Sequence, residues 1–253
     1  MFASLILGLS TFTTGQIFNQ PVQWNLPQRM NPKIAGVYLP FGFDDDDVAQ
    51  VIVEFEMQNT CEELGNVAVI PHEEYPGVLQ LYYEGYKREG NCKAATNNPI
   101  VAVDIGVLQQ GIYEIRDFKN LEKIYGHLNV RKAMTAKIDN NNYAPVDSFI
   151  VHADEAGFRR LITLAGTFSN TCLHFVRDQV RIVKTGEKLI EILPVIDKAE
   201  NENCKEQDVP FLETFKIPER EDALAIRTGR YIFHVRTMNI HSFNKADRVT
   251  TPN

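Results

Sequence analysis

Four cysteines, six histidines and a run of four aspartates are the residues of this chain whose types and spacing invite a chemical reading. The cysteines are Cys61, Cys92, Cys172 and Cys204. No C-x-x-C occurs, so neither a zinc ribbon nor a thioredoxin-type redox pair has its spacing. The histidines (His72, His127, His152, His174, His234 and His241) form no H-x-x-x-H pair. The aspartates, Asp44, Asp45, Asp46 and Asp47, are calcium candidates, because a hard cation takes several carboxylate oxygens. Consecutive residues of an extended chain point to opposite sides, however, so four neighbours cannot all face one ion. The D-x-D-x-D-G spacing of an EF-hand is also missing. A solvated loop accounts for the run, and the expectation is no resident metal and no cofactor. No G-x-S-x-G elbow and no phosphate-cradling glycine loop is present. The cysteines read better as bridges than as nucleophiles, so the chain is expected not to be an enzyme.

The cysteines also expose the organisation of the chain. N-T-C stands at residues 59 to 61 and again at 170 to 172, and the cysteine spacings are 31 and 32. The strand-like stretch before each tripeptide alternates: Val51, Val53, Phe55 and Met57 answer Ile162, Leu164, Gly166 and Phe168. A proline-led apolar stretch follows each second cysteine, at Pro99 and Pro210. L-Q-Q-G-I-Y-E-I from Leu108 is then answered by I-R-T-G-R-Y-I-F from Ile226, aligning Gly111 with Gly229 and Tyr113 with Tyr231. Matching features in a fixed order at a nearly fixed offset mark an internal repeat. The offset grows from 111 to 118, which places an insertion near residues 218 to 224. Four cysteines allow three pairings. The duplication selects Cys61 with Cys92 and Cys172 with Cys204.

The elements that must position these residues are strands. Alternation and β-branched content predict strands at about 36–43, 49–58, 66–70, 78–86, 99–105, 111–118 and 121–130 in the first copy. The second copy reads the same way at about 147–153, 159–168, 178–184, 188–196, 210–217 and 229–238, with a short last strand near 240–243. Seven short strands in about 100 residues make a β-sandwich. The L-x-x-G-x-Y motif resembles the tyrosine corner of immunoglobulin-like and fibronectin type III-like sandwiches, with Tyr113 and Tyr231 as the corner residues. The resemblance covers about eight residues in each copy and is one of fold alone. It implies that the loops after the second and before the fifth strand share one end of the sandwich, where each cysteine pair would meet. It implies no activity, because sandwiches host many functions.

The expected fold class is therefore all-β, with two tandem immunoglobulin-like β-sandwiches, each holding one disulfide. The domain reading is a signal peptide over 1–15, an extended arm over 16–34, one sandwich over 35–131, a linker over 132–145 and a second sandwich over 146–253. Phe2 to Leu9 form an apolar run too short to span a bilayer but suited to a secretory signal, although no Lys or Arg precedes it. Secreted or periplasmic location follows from that run and from the paired cysteines. The net charge of -7 disfavours a duplex-binding surface and an anionic membrane surface. In the second copy Asp154 and Glu155 fall in the loop that matches the aspartate run and share its weak calcium candidacy. In L-Q-L-Y-Y-E-G-Y, Leu79, Leu81 and Tyr83 face inward, leaving Tyr82 and Tyr86 as a candidate partner contact. The functional expectation is a non-catalytic binding, adhesion or structural protein whose partner is a protein or a cell-surface component. The alternative is a hydrolase, or a protease inhibitor, acting through loops at one end of the sandwiches, such as 87–92 or 198–204.

Overall fold

The computed structural model describes residues 27–252 apart from 46, 95–97, 133–142, 178–179, 186, 200–202, 219–225 and 239–241. The expected signal segment, most of the linker and the insertion near 218–224 therefore lie outside the described residues. The described chain is built of strands joined by turns, with no α-helix among the described residues. No described helix is long and apolar enough to cross a membrane.

The first half contains β1 (Gln28–Met30), β2 (Lys33–Tyr38), β3 (Phe43–Asp44), β4 (Val48–Glu56), β5 (Glu62–Pro71), β6 (Val78–Lys87), β7 (Ile100–Val107), β8 (Gly111–Asp117) and β9 (Ile124–Arg131). Strands β2, β4 and β7 form one sheet; β6, β8 and β9 form the other, with β5, β1 and β3 added to it. The second half contains β10 (Val146–Ala153), β11 (Arg159–Asn170), β12 (Leu173–Phe175), β13 (Arg181–Thr185), β14 (Leu189–Leu193), β15 (Ile196–Lys198), β16 (Glu206–Lys216), β17 (Gly229–Arg236) and β18 (Ser242–Val249). Here β10, β11 and β16 form the three-stranded sheet, and β13, β14, β17 and β18 the four-stranded one. The short pair β12–β15 continues the β13–β14 hairpin, so it matches the long β5–β6 hairpin of the first half.

Strand order repeats in detail. In both halves the fourth main strand lies beside the sixth and runs parallel to it: β6 with β8, and β14 with β17. An immunoglobulin sandwich groups its third, sixth and seventh strands in one sheet. In this chain the fourth strand stands between the third and the sixth. Two sequence expectations also shift. The described part of the expected arm is sheet, because Gln28–Met30 pairs with β6 and β2 already begins at Lys33. The last strand is eight residues long rather than a short piece, because the polar sequence S-F-N-K-A-D-R-V hid its register against β17.

Each half packs its two sheets around its own core. Val51, Val53 and Phe55 of β4 meet Leu79, Leu81 and Ile115 in the first. Ile162 and Leu164 of β11 meet Ile190, Ile192, Phe233 and Val235 in the second. The strand registers correct one detail of the repeat. Ile100 pairs with Glu54 and Leu212 with Ala165, so Pro99 corresponds to Phe211 and the two prolines are one residue out of step. This explains why Gly166 stands where the first half has Phe55. A Cβ on Gly166 would lie 2.1 Å from the Pro145 carbonyl oxygen and 2.6 Å from the Phe211 ring. The neighbouring strand supplies the aromatic bulk, and Phe211 stacks 4.5 Å from Phe168.

Candidate functional site

The recurring N-T-C is a hydrogen-bonded staple. Disulfides join Cys61 to Cys92 and Cys172 to Cys204, as the duplication requires. In each copy the asparagine carbonyl accepts the cysteine N–H, Asn59 from Cys61 at 3.1 Å and Asn170 from Cys172 at 3.0 Å. The threonine then clasps the lysine that follows the second cysteine. The Thr60 N–H donates to the Lys93 carbonyl at 2.8 Å and the Lys93 N–H donates to Thr60 Oγ1 at 3.1 Å. Thr171 and Lys205 repeat both bonds, each at 3.1 Å. The corner tyrosines repeat as well: the Tyr113 hydroxyl donates to the Gln109 carbonyl at 2.9 Å, and that of Tyr231 to the Arg227 carbonyl at 3.0 Å. All these groups hold loops; they leave the cysteines no thiolate to react.

Two buried titratable groups, Glu191 and His234, lie elsewhere, on a seam between the halves. Strand β4 buries both of its faces, and so does β17. Inward residues of β4 enter the first core, while Gln50, Ile52 and Glu54 point away from it and are still buried. On β17 the equivalent outward residues are Ile232, His234 and Arg236, all buried. Ile52, Leu189 and Ile232 form a small apolar centre with Tyr38, Ile100 and Ala246 around it. The β2–β4–β7 sheet of the first half thus lies face to face on the β13–β14–β17–β18 sheet of the second, with the other sheet of each half outermost.

Polar clusters flank that apolar centre. On one side Arg230 Nη2 contacts Glu54 Oε1 at 2.6 Å, the Tyr38 hydroxyl donates to Glu54 Oε2 at 2.8 Å, and Asn98 donates to Oε1 at 3.2 Å. Burial alone would raise the Glu54 pKa, but these donors together hold it below the ordinary value. On the other side the Phe41 N–H donates to Glu191 Oε1 at 2.5 Å and the Thr185 hydroxyl to Oε2 at 3.0 Å. Arg236 donates to the Phe41 carbonyl at 3.1 Å, reaches Asp47 Oδ2 at 3.5 Å and lies over the Phe43 ring at 4.2 Å. Burial pushes Glu191 up to about 7 despite the nearby Arg236. A third line of bonds crosses the seam. Gln50 donates to Asp104 at 2.6 Å, Ser242 donates to Gln50 at 2.7 Å, Asn244 donates to Ser242 at 3.1 Å, and His234 Nδ1 meets Asn244 Oδ1 at 2.8 Å. Burial lowers the His234 pKa to about 4. Its Nε2 and the Arg236 Nε have no hydrogen-bond partner among the described residues. A groove of about 420 Å³ borders the seam, between residues 35–39 of the first half and Thr185 and Glu187–Leu189 of the second.

The sequence-predicted candidates take other places. Asp47 is buried in the seam against Arg236, and its Oδ2 accepts the Asp44 N–H at 3.0 Å. Asp44 belongs to β3, and Asp46 lies outside the described residues. Asp154 pairs with Arg160 and accepts the N–H groups of Ala156 and Phe158, both at 3.0 Å. Glu155 is exposed in the same turn. No group of three metal-ligating side chains occurs among the described residues. Tyr82 and Tyr86 do face away from the core, as the alternation indicates, but both are half-buried and both donate to Glu84, at 3.1 and 2.9 Å. Tyr82 also meets the Phe118 ring edge-on at 5.2 Å.

The residues that sequence reasoning missed are those of the seam: Glu54, Glu191, Arg230, His234 and Arg236. A signal existed. Y-I-F-H-V on β17 and V-I-V-E-F on β4 read as runs without a wet face, which is how a strand buried on both sides is written. What the fold defines is a class: an all-β protein whose two halves repeat their strand order, each half carrying one disulfide, with the halves joined by a buried polar seam. No family model, curated protein or solved structure matches the chain.

Proposed function

We propose that this is a secreted or periplasmic, non-catalytic protein that binds or builds through its outer sheet faces, and that each half is a variant of the immunoglobulin-like sandwich. The sandwich reading is supported by seven main strands in two sheets and by the paired tyrosine corners. The displaced fourth strand makes it a variant. The oxidising location is supported by two disulfides, with every described cysteine bridged.

One observation carries the functional reading. Glu54, Glu191, His234 and Arg236 are spent on joining the halves, while large apolar side chains stand exposed on the two outermost sheets. Ile70, Ile112, Phe118 and Ile124 lie on or beside the sheet of β5, β6, β8 and β9; Ile150 and Leu212 lie on the sheet of β10, β11 and β16. Exposed apolar groups concentrated on sheet faces mark interaction surfaces. The test is chemical crosslinking in the native secretion or periplasmic fraction, with sequencing of the mature N-terminus. A partner captured by the parent and lost in Ile112→Glu or Leu212→Glu supports the reading. Capture unaffected by either change, or a mature chain that keeps Met1, overturns it.

A further inference from the structure

The internal repeat specifies what covers the two end faces. Inside the chain, the outer face of the first three-stranded sheet is covered by the outer face of the second four-stranded sheet. The copies of those two faces at the opposite ends of the stack, on β10–β11–β16 and on β5–β6–β8–β9, are uncovered by the described residues. We propose that a second copy of this chain covers them, docking head to tail so that the contact between chains repeats the seam within one. This rests on the binding or structural reading above.

The strand registers give the residue correspondence. Glu54 and Ile100 of the seam correspond to Ala165 and Leu212, because each pair is cross-strand at matching positions. Counting from the shared corner tyrosine, Arg230 of β17 corresponds to Ile112 of β8 and Arg236 to Phe118. In the seam Arg230 meets Glu54, beside Ile100. The repeated contact therefore brings Ile112 onto Ala165 and Leu212. Those two apolar side chains are the most exposed large ones described, 68% for Ile112 and 74% for Leu212.

Two further positions fit the same pattern. Tyr38, which pairs with Ile52, corresponds to Ile150, which pairs with Thr163; Ile150 is 56% exposed. Asp47 precedes Val51 by four residues as Phe158 precedes Ile162, so the Arg236–Asp47 contact is answered by Phe118 against Phe158. The positions of Glu54, Asp47, Arg230 and Arg236 thus hold Ala165, Phe158, Ile112 and Phe118 at the ends, while those of Ile232 and His234 hold the ion pair Glu114 and Arg116. The two faces differ, so the contact is heterologous and each added chain leaves one face open at either end.

The experiment is sedimentation velocity on the oxidised protein from micromolar to near-millimolar concentration, comparing the parent with Ile112→Glu and Leu212→Glu. Both sites are exposed, and unchanged thermal unfolding of each variant establishes that it folds. The parent is expected to grow with concentration past two chains, and each variant alone to sediment as one chain. An equimolar mixture of the two variants keeps one intact pair of faces and is expected to stop at two chains. A parent that stays single at every concentration, a variant that still dimerises with itself, or a mixture that stays single overturns the proposal. None of these results touches the crosslinking test of the binding reading, which can succeed with a different partner.

Discussion

Glu191 and His234 are cross-strand neighbours on the parallel pair β14–β17, and the seam changes their proton affinities in opposite directions. Glu191 is 1% exposed and His234 0%, so solvent screening gives little relief to either. The carboxyl rises from 4.5 to about 7 and the imidazole falls from 6.5 to about 4. At about 1.4 kcal/mol per tenfold change in affinity, each corresponds to about 3 kcal/mol. For Glu191 the folded state holds the proton more tightly. Its contribution is complete below pH 4.5 and is lost as pH rises through about 7. For His234 the folded state holds the proton less tightly. Its contribution is complete above pH 6.5 and is lost as pH falls through about 4. Between pH 4.5 and 6.5 the two slopes cancel. The unfolded chain there carries an ionised carboxylate and a protonated imidazole; folding moves that proton from the ring to the carboxyl with no net uptake. Glu191→Gln should unmask the histidine, giving stability that climbs with pH by about 3 kcal/mol from about pH 4 to 6.5. His234→Gln should unmask the carboxyl, giving stability that declines by a similar amount from pH 4.5 to about 7. Urea unfolding followed by circular dichroism with the disulfides intact measures both. The slope difference from the parent is the readout, so a fixed packing cost of either substitution drops out. Variants whose profiles run parallel to the parent from pH 4 to pH 7 would refute the reasoning.

Other substitutions test the staples and the cores. Replacing Cys61 and Cys92 together by alanine, or Cys172 and Cys204, should cost about 4 kcal/mol in either half by the chain-entropy account. The two losses should be nearly equal, since the loops span 31 and 32 residues, and denaturant midpoints check this. Asn59→Ala and Asn170→Ala each remove one local bond to a cysteine N–H and should each cost about 1 kcal/mol, read by the same titrations. Gly166→Ala drives a methyl into the Pro145 carbonyl and should cost more than about 3 kcal/mol, whereas Gly111→Ala meets nothing closer than 3.6 Å and should cost less than about 1 kcal/mol. The buried Asp117 carboxylate accepts the Tyr83 and Tyr125 hydroxyls at 2.9 and 2.6 Å and the Lys119 N–H at 2.8 Å. The Asn120 N–H donates to it as well, at 3.2 Å, so Asp117→Ala removes the acceptor of four donors and should cost about 3 kcal/mol or more in thermal unfolding.

The parts of this fold that were legible in the sequence are those written by local rules. Alternation located the strands because each sheet has one face on its own core, as at Val51, Val53 and Phe55. The paired N-T-C and the corner tyrosines were legible because each motif is completed by bonds among few residues at fixed spacing. Two features were not. The position of the fourth strand beside the sixth is a choice between sheet neighbours, and V-L-Q-L-Y-Y on β6 would look the same beside β5 alone. The seam was hidden for a stronger reason. Its residues are the kinds that ordinarily mark a wet face, Gln50 and Glu54 on β4 and Arg230, His234 and Arg236 on β17. Gln50, Glu54 and Arg236 find partners on the other half, in Ser242, Arg230 and Asp47, which alternation within one strand cannot reveal.

That hidden seam also bears on how duplication built the protein. Two independent sandwiches would need one wet face on each sheet. Here the first half has Gln50 and Glu54 on β4 where the second has Leu161 and Ala165 on β11. The second half has Arg230, His234 and Arg236 on or beside β17 where the first has Ile112, Arg116 and Phe118 on or beside β8. The two halves differ in complementary directions at the faces that meet: Glu54 accepts Arg230, and Asp47 accepts Arg236. Breaking such a pair leaves the buried carboxylate desolvated, although Glu54 keeps the Tyr38 and Asn98 donors and Arg230 itself is exposed. The internal contact is thereby specified against the contact of the same faces between chains, where Ala165 and Ile112 replace the charges. An Arg230→Ile substitution gives β17 the side chain that β8 carries at that position. It should destabilise the chain by about 1 to 2 kcal/mol while Glu54 remains, and the loss should shrink when Glu54→Ala is added. A double variant no more stable than Arg230→Ile alone would show that the charge pair does not set which faces meet.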